Sequence, residues 1–393
     1  MVRKKISLLA ADCTIHSLAR PRILARLLES RFDLEVVAPV FPGDEDVYVQ
    51  SSWPGRYIPV PVRRLPDFLK SAGDLIDALT GDAIYACKPK ATSLGVALLA
   101  KRRRRVPVVV DVDDREIYHC YPYSRHFVKN LVLSARDWAD PGAYPYTLAM
   151  EQLVRRADHV TSVSSYFRSL FGGTIIPQAI DTSMFDPARY DREMLRDQWG
   201  LDRYKVVLFL GRPQPHKGLE EILKAVKQSR HPEVRLVIVG GWTPYVETLV
   251  RMDRVIFFGP QPFEKGPIFL SMADVVMVPQ RDSPISRGQM PTKVPEAMAM
   301  GVPVIVTDVA DLAEQVRDGG IVVPPNDIVA LTNALDRLLS DDDLAKEMGK
   351  TARRRCIDLY SLEAVRPKLE GVFARNIEVE PRQDTSVCEL RAV

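Results

Sequence analysis

Two cations, Arg212 and Lys217, stand in the run Val206-Val207-Leu208-Phe209-Leu210-Gly211-Arg212-Pro213-Gln214-Pro215-His216-Lys217-Gly218-Leu219. The apolar stretch before Gly211 predicts a buried strand, and a helix is expected to open at Gly218. Carboxyl ends of parallel strands are where such sheets hold ligands. Arg212 and Lys217 are therefore expected to project into a crevice, hold a diphosphate there and stabilise it as it leaves. His216 between them is read as a loop residue.

A second constellation is Pro291-Thr292-Lys293-Val294-Pro295-Glu296-Ala297-Met298-Ala299-Met300-Gly301-Val302-Pro303. Thr292 is expected to cap a helix in which Pro295 falls within the first turn, and Gly301 and Pro303 end it. The opening residues Thr292, Lys293 and Val294 would then offer amide N–H groups to an anion without any metal. Glu296 is a poor neighbour for phosphate and suits hydrogen bonds from neutral hydroxyls.

Further forward, Val106–Asp111 runs on to Val112-Asp113-Asp114, three carboxylates at one strand end. Charges so close repel unless solvated or partnered, which predicts a poised site or a metal site. Asp111 is read as structural and Asp114 as a cap. Thr14, His16 and Ser17, after the first strand, are read as hydrogen-bonding substrate or as a simple turn. The stretch Tyr118–Tyr146 holds Tyr121, Tyr123, Phe127, Trp138 and Tyr144, which fits packing over a core first, and also stacking on a ligand ring or contact with a lipid headgroup.

These residues need elements to position them. Short apolar runs alternate with helical periods, the pattern of parallel sheets covered by helices. Strands are predicted at Lys5–Ala10, Leu34–Pro39, Ala83–Ala86, Val106–Asp111 and His159–Val163. The rhythm restarts at Lys205–Leu210, Arg235–Val239, Val255–Phe258, Val275–Pro279, Val302–Thr307 and Ile321–Val323. Helices are predicted over Arg22–Ser30, Ser93–Arg103, Leu219–Ser229, Pro267–Met272, Val294–Met300, Ile328–Leu339 and Leu362–Asn376. The charged segment Asp181–Asp202 separates the halves. The expected fold is α/β, two doubly wound Rossmann-like domains facing a central cleft: residues 1–185, then 186–360, then a last helix and polar tail over 361–393.

A chain of 393 residues is long enough for two cores, and 46% hydrophobic with 27% charged residues is an ordinary globular balance. A net charge of +3 argues against nucleic acid as the main partner. The five cysteines have neither CxxC nor zinc-ligand spacing. Ile6–Ala10 is too short for a signal or membrane segment and reads as a first strand, so a cytoplasmic protein is expected. Basic clusters at Arg3–Lys5, Arg63-Arg64 and Lys101–Arg105 suggest peripheral contact with an anionic membrane, at its inner face.

From about residue 155 to 360 the chain resembles glycosyltransferase family four, the group one family. The resemblance is carried by Gly211-Arg212 with Lys217-Gly218, Ala273-Asp274-Val275-Val276-Met277-Val278-Pro279, Glu296–Val304 and Gly319-Gly320-Ile321-Val322-Val323, with Ile176–Phe185 as the interdomain stretch. The resemblance implies the GT-B fold and transfer of a sugar from a nucleoside-diphosphate sugar to an acceptor hydroxyl on a sugar, lipid-linked or small molecule. It implies retention of anomeric configuration, no metal and no cofactor beyond the donor itself. Arg212 and Lys217 would bind the diphosphate, Glu296 the ribose, and Gly259 and Pro260 would lie beside the base. Asp113 falls where relatives place a His or Asp facing the transferred sugar. The family's first glutamate is replaced by Gly288, so Ser286, Gln289 or the loop backbone would contact the sugar instead. The last helix would cross back to the first domain. The same two-domain plan also serves sugar-nucleotide epimerases and phosphorylases, and a non-catalytic nucleotide-binding scaffold is the rival of another class. Neither half opens with G-x-G-x-x-G, which argues against a dehydrogenase.

Overall fold

The computed structural model describes residues 3–44, 54–120, 130 and 137–377. The side chain of His16, the residues Tyr121, Tyr123 and Phe127, and the tail after 377 lie outside the described residues. Seven parallel strands make the first sheet: β1 (Lys5–Leu9), β2 (Asp33–Val40), β3 (Arg56–Pro61), β4 (Ala83–Cys87), β5 (Val108–Val112), β6 (His159–Ser162) and β7 (Thr174–Ile175). Their order is β3-β2-β1-β4-β5-β6-β7. The second sheet holds β8 (Lys205–Leu210), β9 (Val234–Val239), β10 (Val255–Phe257), β11 (Val275–Val278), β12 (Val304–Thr307) and β13 (Gly320–Val323), ordered β10-β9-β8-β11-β12-β13. Every named strand pair is parallel. Both orders reverse direction beside their first strand, the doubly wound arrangement that the alternating pattern predicts.

The strands read as unbroken apolar runs because both faces are covered. In β8, Val206 and Leu208 pack against Met298 and Ala299 on one side, while Val207 and Phe209 pack against Leu219, Ile222 and Val226 on the other. The helix Leu219–Gln228 supplies that second layer.

Several elements escape the sequence reading, among them the helices Phe68–Ala78 and Tyr144–Leu153 and the three described next. Strand β3 carries Pro59 and Pro61, which a sheet accepts only at its edge, where β3 lies. Strand β7 has two residues. The helix Asp342–Tyr360 is too polar to show an apolar period, yet it buries Gly349, Ala352 and Cys356. The first helix runs over Ile15–Leu28 rather than Arg22–Ser30, with Pro21 inside it; the proline hides the earlier start.

A buried polar knot ties the first lobe together. Arg20 Nε donates to Asp111 Oδ2 at 3.0 Å, and Arg20 Nη2 donates to Asp111 Oδ1 at 3.2 Å and to the carbonyl of Ile176 at 2.7 Å. Both side chains are almost fully buried, so Asp111 holds the helix Ile15–Leu28 to β5, the structural role its sequence position suggests.

Over the described residues the chain crosses between the lobes twice, and the crossings lie side by side. Ile180 N–H donates to Tyr360 O at 2.7 Å, and Leu362 N–H donates to Ile180 O at 3.0 Å. The final helix, Leu362–Ile377, then packs on the first sheet. Its Leu362, Val365, Leu369, Val372 and Phe373 share a core with Ile6, Leu8, Leu24 and Leu28.

Candidate functional site

The carboxyl edges of the two sheets face each other, and loops leaving those edges make the contacts that line the gap between the lobes. In the second lobe the loop after β8 packs on the loop after β11, at the point where the strand order reverses. Gly218 (φ +74°) makes that approach possible: a Cβ there would stand 2.1 Å from the carbonyl oxygen of Pro279.

Lys217 lies in this loop and donates from Nζ to the carbonyl of Arg212 at 2.9 Å. Burial pushes its ammonium down to about 8; Arg212 adds to the effect, while Asp114 of the opposite lobe favours the charge. Both predicted cations thus sit at the switch point, and Lys217 faces the other lobe. His216 is pushed down to about 4 by burial and by Lys217, so it stays neutral at physiological pH. Arg281 fastens the loop from behind, donating to Glu221 at 2.7 Å and to Glu220 at 2.9 Å.

The helix opening near Thr292 differs from expectation. The helix runs only over Lys293–Ala299, and Thr292, itself in the right-handed helical region, makes no side-chain cap. Its hydroxyl serves Glu296 instead. Val294 N–H donates to Pro291 O at 3.2 Å and Glu296 N–H to Thr292 O at 3.0 Å, while Pro295 has no N–H, so the expected row of free amides is short. The side chain of Val294 is fully buried in the core. Glu296 is buried, which pushes its carboxyl up to about 7. Lys293 is buried with its Nζ over the ring of Phe209, 3.4 Å from the centroid. Gly259 (φ +63°) accepts from Gly240 N–H at 2.9 Å, which places it and the exposed Pro260 at the end of β10 beside the same loops.

In the first lobe the three carboxylates do not converge on one point. Asp111 belongs to Arg20. Asp113 lies 3.6 Å from Lys88 Nζ, and its Oδ1 is buried without a hydrogen bond. Burial pushes Asp113 up to about 6 against the pull of Lys88, with Asp111, Asp114 and Glu116 adding to the rise. Asp114 accepts from Arg115 N–H at 2.9 Å at the opening of the short helix Glu116–Cys120, and pairs with His119 Nε2 at 2.8 Å. It also reaches across the gap, accepting from Gln289 Nε2 at 3.2 Å.

The loop after β11 supplies that Gln289, but not a row of sugar-facing groups. Ser286 is fully buried, its hydroxyl 2.8 Å from that of Ser283. Gly288 is buried against Phe167 of the first lobe: a Cβ at 288 would stand 2.4 Å from Phe167 Cζ. Asp311 accepts from Ser165 N–H at 2.6 Å and closes the far side of the same seam. Thr14 is likewise committed within its own turn. Its hydroxyl donates to Asp12 at 2.5 Å and accepts from Ser17 N–H at 3.4 Å, capping the first helix. These bonds describe a turn.

Residues 191–355 match the family model described as glycosyl transferases group 1, and residues 19–179 match the glycosyl transferase 4-like domain. The chain belongs to the group 1 glycosyltransferases. One relative in this family is the GDP-mannose-dependent alpha-(1-6)-phosphatidylinositol monomannoside mannosyltransferase of Mycolicibacterium smegmatis. It is 34% identical over 231 residues, which span 53% of this chain and 60% of that protein. The alpha-D-kanosaminyltransferase of Streptomyces kanamyceticus is 31% identical over 192 residues, 46% of this chain and 48% of its own length. The chain thus spans about half to three-fifths of these two relatives. The GT-B fold is shared with sucrose-phosphate synthase from Thermosynechococcus elongatus (TM-score 0.72, 22% identity, 95% of this chain and 99% of that one). It is shared also with Anabaena HepE in complex with UDP-glucose (TM-score 0.72, 20% identity, 95% and 100%).

In this family member, sequence reasoning overlooked the partners that surround Asp113. Glu116 takes a bond of 2.5 Å from Lys88 and lies 3.1 Å from Lys90, and those two lysines hold its carboxyl far below the usual range. The signal was legible: Lys88-Pro89-Lys90 directly follows the apolar strand β4, at its carboxyl end. Phe167 left no such mark, since an aromatic in a short helix reads as core.

Proposed function

We propose that this protein transfers a glycosyl group from a nucleoside-diphosphate sugar to an acceptor hydroxyl, with retention of anomeric configuration and without metal. The observation that carries the proposal is the placement of Arg212 and Lys217 at the switch point of the second sheet, with Lys217 facing Asp114 of the first. Fixed cations there neutralise the departing diphosphate without reorganisation. Glu296 accepts from the ribose, and the loop at Gly259–Pro260 flanks the base. Asp113, ionised above about 6, faces the transferred sugar and stabilises positive charge that develops on it. Gln289, held by Asp114, is the side chain of its loop left to orient the sugar, because Ser286 and Gly288 are turned into packing. Closing the lobes keeps out water that would hydrolyse the donor.

The names of the relatives support an acceptor that is lipid-linked or a small hydroxylated molecule. A lipid-linked acceptor must enter at the cleft, and this bears on the basic clusters. Arg3–Lys5 and Lys101–Arg105 gather at the amino edge of the first sheet, where Lys4 lies 3.4 Å from Asp82 and Lys101 2.6 Å from Asp158. Arg63 and Arg64 instead follow β3 at the carboxyl edge, near the exposed Leu69. They are therefore the residues proposed to meet an anionic membrane. Among the described residues no helix is long and apolar enough to cross one.

The test is a thermal-shift panel of nucleotides and nucleotide sugars, followed by assay of nucleoside-diphosphate release with glycolipid and small-molecule acceptors. Stabilisation by one donor and acceptor-dependent release are expected. Binding without release over a broad acceptor set would favour a scaffold, and conversion of the donor with no acceptor present would favour an epimerase. Unchanged turnover after replacing Arg212 and Lys217 together would refute the proposal.

A further inference from the structure

Lys293 is an anomaly. It is 6% exposed, and its Nζ makes no hydrogen bond to any described residue, Glu296 included. The Phe209 ring lies directly beneath it, and Lys217 stands near enough to oppose a second positive charge. A ring face offsets only a fraction of what an ammonium loses on leaving water, so an amine in this position sheds its proton. Burial, then Lys217, accordingly drive Lys293 well below the ordinary lysine value, against the weaker pull of Glu296.

Its position points to a ligand. A Cβ built on Gly211 would meet one side chain within 4 Å, the Nζ of Lys293, at 3.9 Å. Gly211 (φ +110°) is itself exposed at the end of β8, directly before Arg212. The amine thus lies under a residue without a side chain, beneath the loop that carries both donor-site cations. Other unpartnered buried atoms gather at the same strand ends: His216 Nε2, and both amide atoms of Gln280, which follows β11. Native proteins leave few such groups, and each calls for an explanation.

We infer that Lys293 is a third ligand for the donor's diphosphate, and that seating this group draws a proton from solvent onto its amine. The inference rests on the donor reading. The balance is simple: the free amine takes one proton, becomes an ammonium and pairs with a phosphate oxygen, with no bond made or broken in the donor. The charge then exists only while an anion compensates it. The charged groups facing Lys293 are Lys217 from the loop after β8 and Glu296 from its own helix.

The experiment is calorimetric titration of UDP and of GDP into wild type and Lys293→Met, at about pH 8.5, in buffers of different ionisation enthalpy. Glu296, held near 7, is ionised there and supplies no proton. Lys217, held near 8, contributes to uptake equally in both proteins. Wild type is expected to take up about one proton more than the variant, and the variant to bind the diphosphate about 10- to 100-fold more weakly. Uridine and guanosine, lacking phosphate, should bind both proteins alike. The ligand-free variant should melt no lower than wild type, since it replaces an unpartnered amine with a thioether of similar shape. Equal proton uptake and affinity in the two proteins would overturn this inference alone, as would a variant that melts several degrees lower without ligand. Failure of both diphosphates to bind wild type would overturn it together with the donor reading.

Discussion

Replacing Gly288 with alanine tests how the lobes fit. The φ of Gly288 lies outside the left-handed region, so only the collision of side chains is at stake. The new Cβ would stand 2.4 Å from Phe167 Cζ and 3.0 Å from each of its Cε atoms. Carbon atoms rest at about 3.5–4.0 Å, so at least about 1 Å of movement must be found. Phe167 has little to give, being fully buried with Tyr166 at 5.4 Å and Phe171 at 6.5 Å between ring centroids. Overpacking of this kind costs about 1–3 kcal/mol. If the loop yields instead, it carries Gln289 off Asp114, whose bond is 3.2 Å, and turnover falls. Denaturant midpoints and nucleotide-release rates measure the two responses. Phe167→Ala alone should cost about 3–5 kcal/mol, and the double variant should be more stable than the sum of singles by at least about 1 kcal/mol. Gly288→Ala within about 0.5 kcal/mol of wild type with unchanged turnover, or strict additivity, would refute the steric reasoning.

Four other outcomes are expected. Lys217→Met should lower kcat for transfer on the order of 100-fold, read from initial rates at saturating donor. The pH profile of kcat/KM should be bell-shaped, rising as Asp113 ionises near 6 and falling as Lys217 loses its proton near 8; Asp113→Asn should abolish the acid limb. Asp113 titrates higher folded (about 6) than its ordinary 3.8, so its contribution to stability is lost as pH rises between those values, and Asp113→Asn should melt higher than wild type above pH 6. Arg20→Ala leaves Asp111 buried without its cation and should cost about 3–5 kcal/mol in denaturant unfolding, whereas Arg20→Met with Asp111→Leu should cost less than either single change.

The second sheet was legible almost residue by residue, because its strands are buried on both faces and their apolar runs stop where solvent begins; Lys205–Leu210 and Leu219–Gln228 are examples. The edges were not: Pro59 and Pro61 forbid a central strand but fit an outer one, and nothing local announces which place a strand will take. The site followed the same division. Arg212 and Lys217 were visible because strand, loop and helix succeed one another in sequence. Thr292 was misjudged, since a good capping residue caps only if the backbone leaves the helical region before it, and Glu296 had the stronger claim on its hydroxyl. The destinations of Ser286 and Gly288 depend on Ser283 and Phe167; the latter lies 121 residues before Gly288 and on the other lobe, a relation no local pattern contains.

The paired crossings at Ile180 and Ser361 have a mechanical meaning. A single strand between two bodies is a swivel, free to twist as well as bend. Two strands hydrogen-bonded flank to flank behave like the leather of a book's spine: they fold along one line and resist shear and rotation about their length. Because the last helix is anchored in the first core, that second strap cannot slip. Bending between the lobes is thereby expected to follow one direction, which would keep Asp114 in register with Lys217.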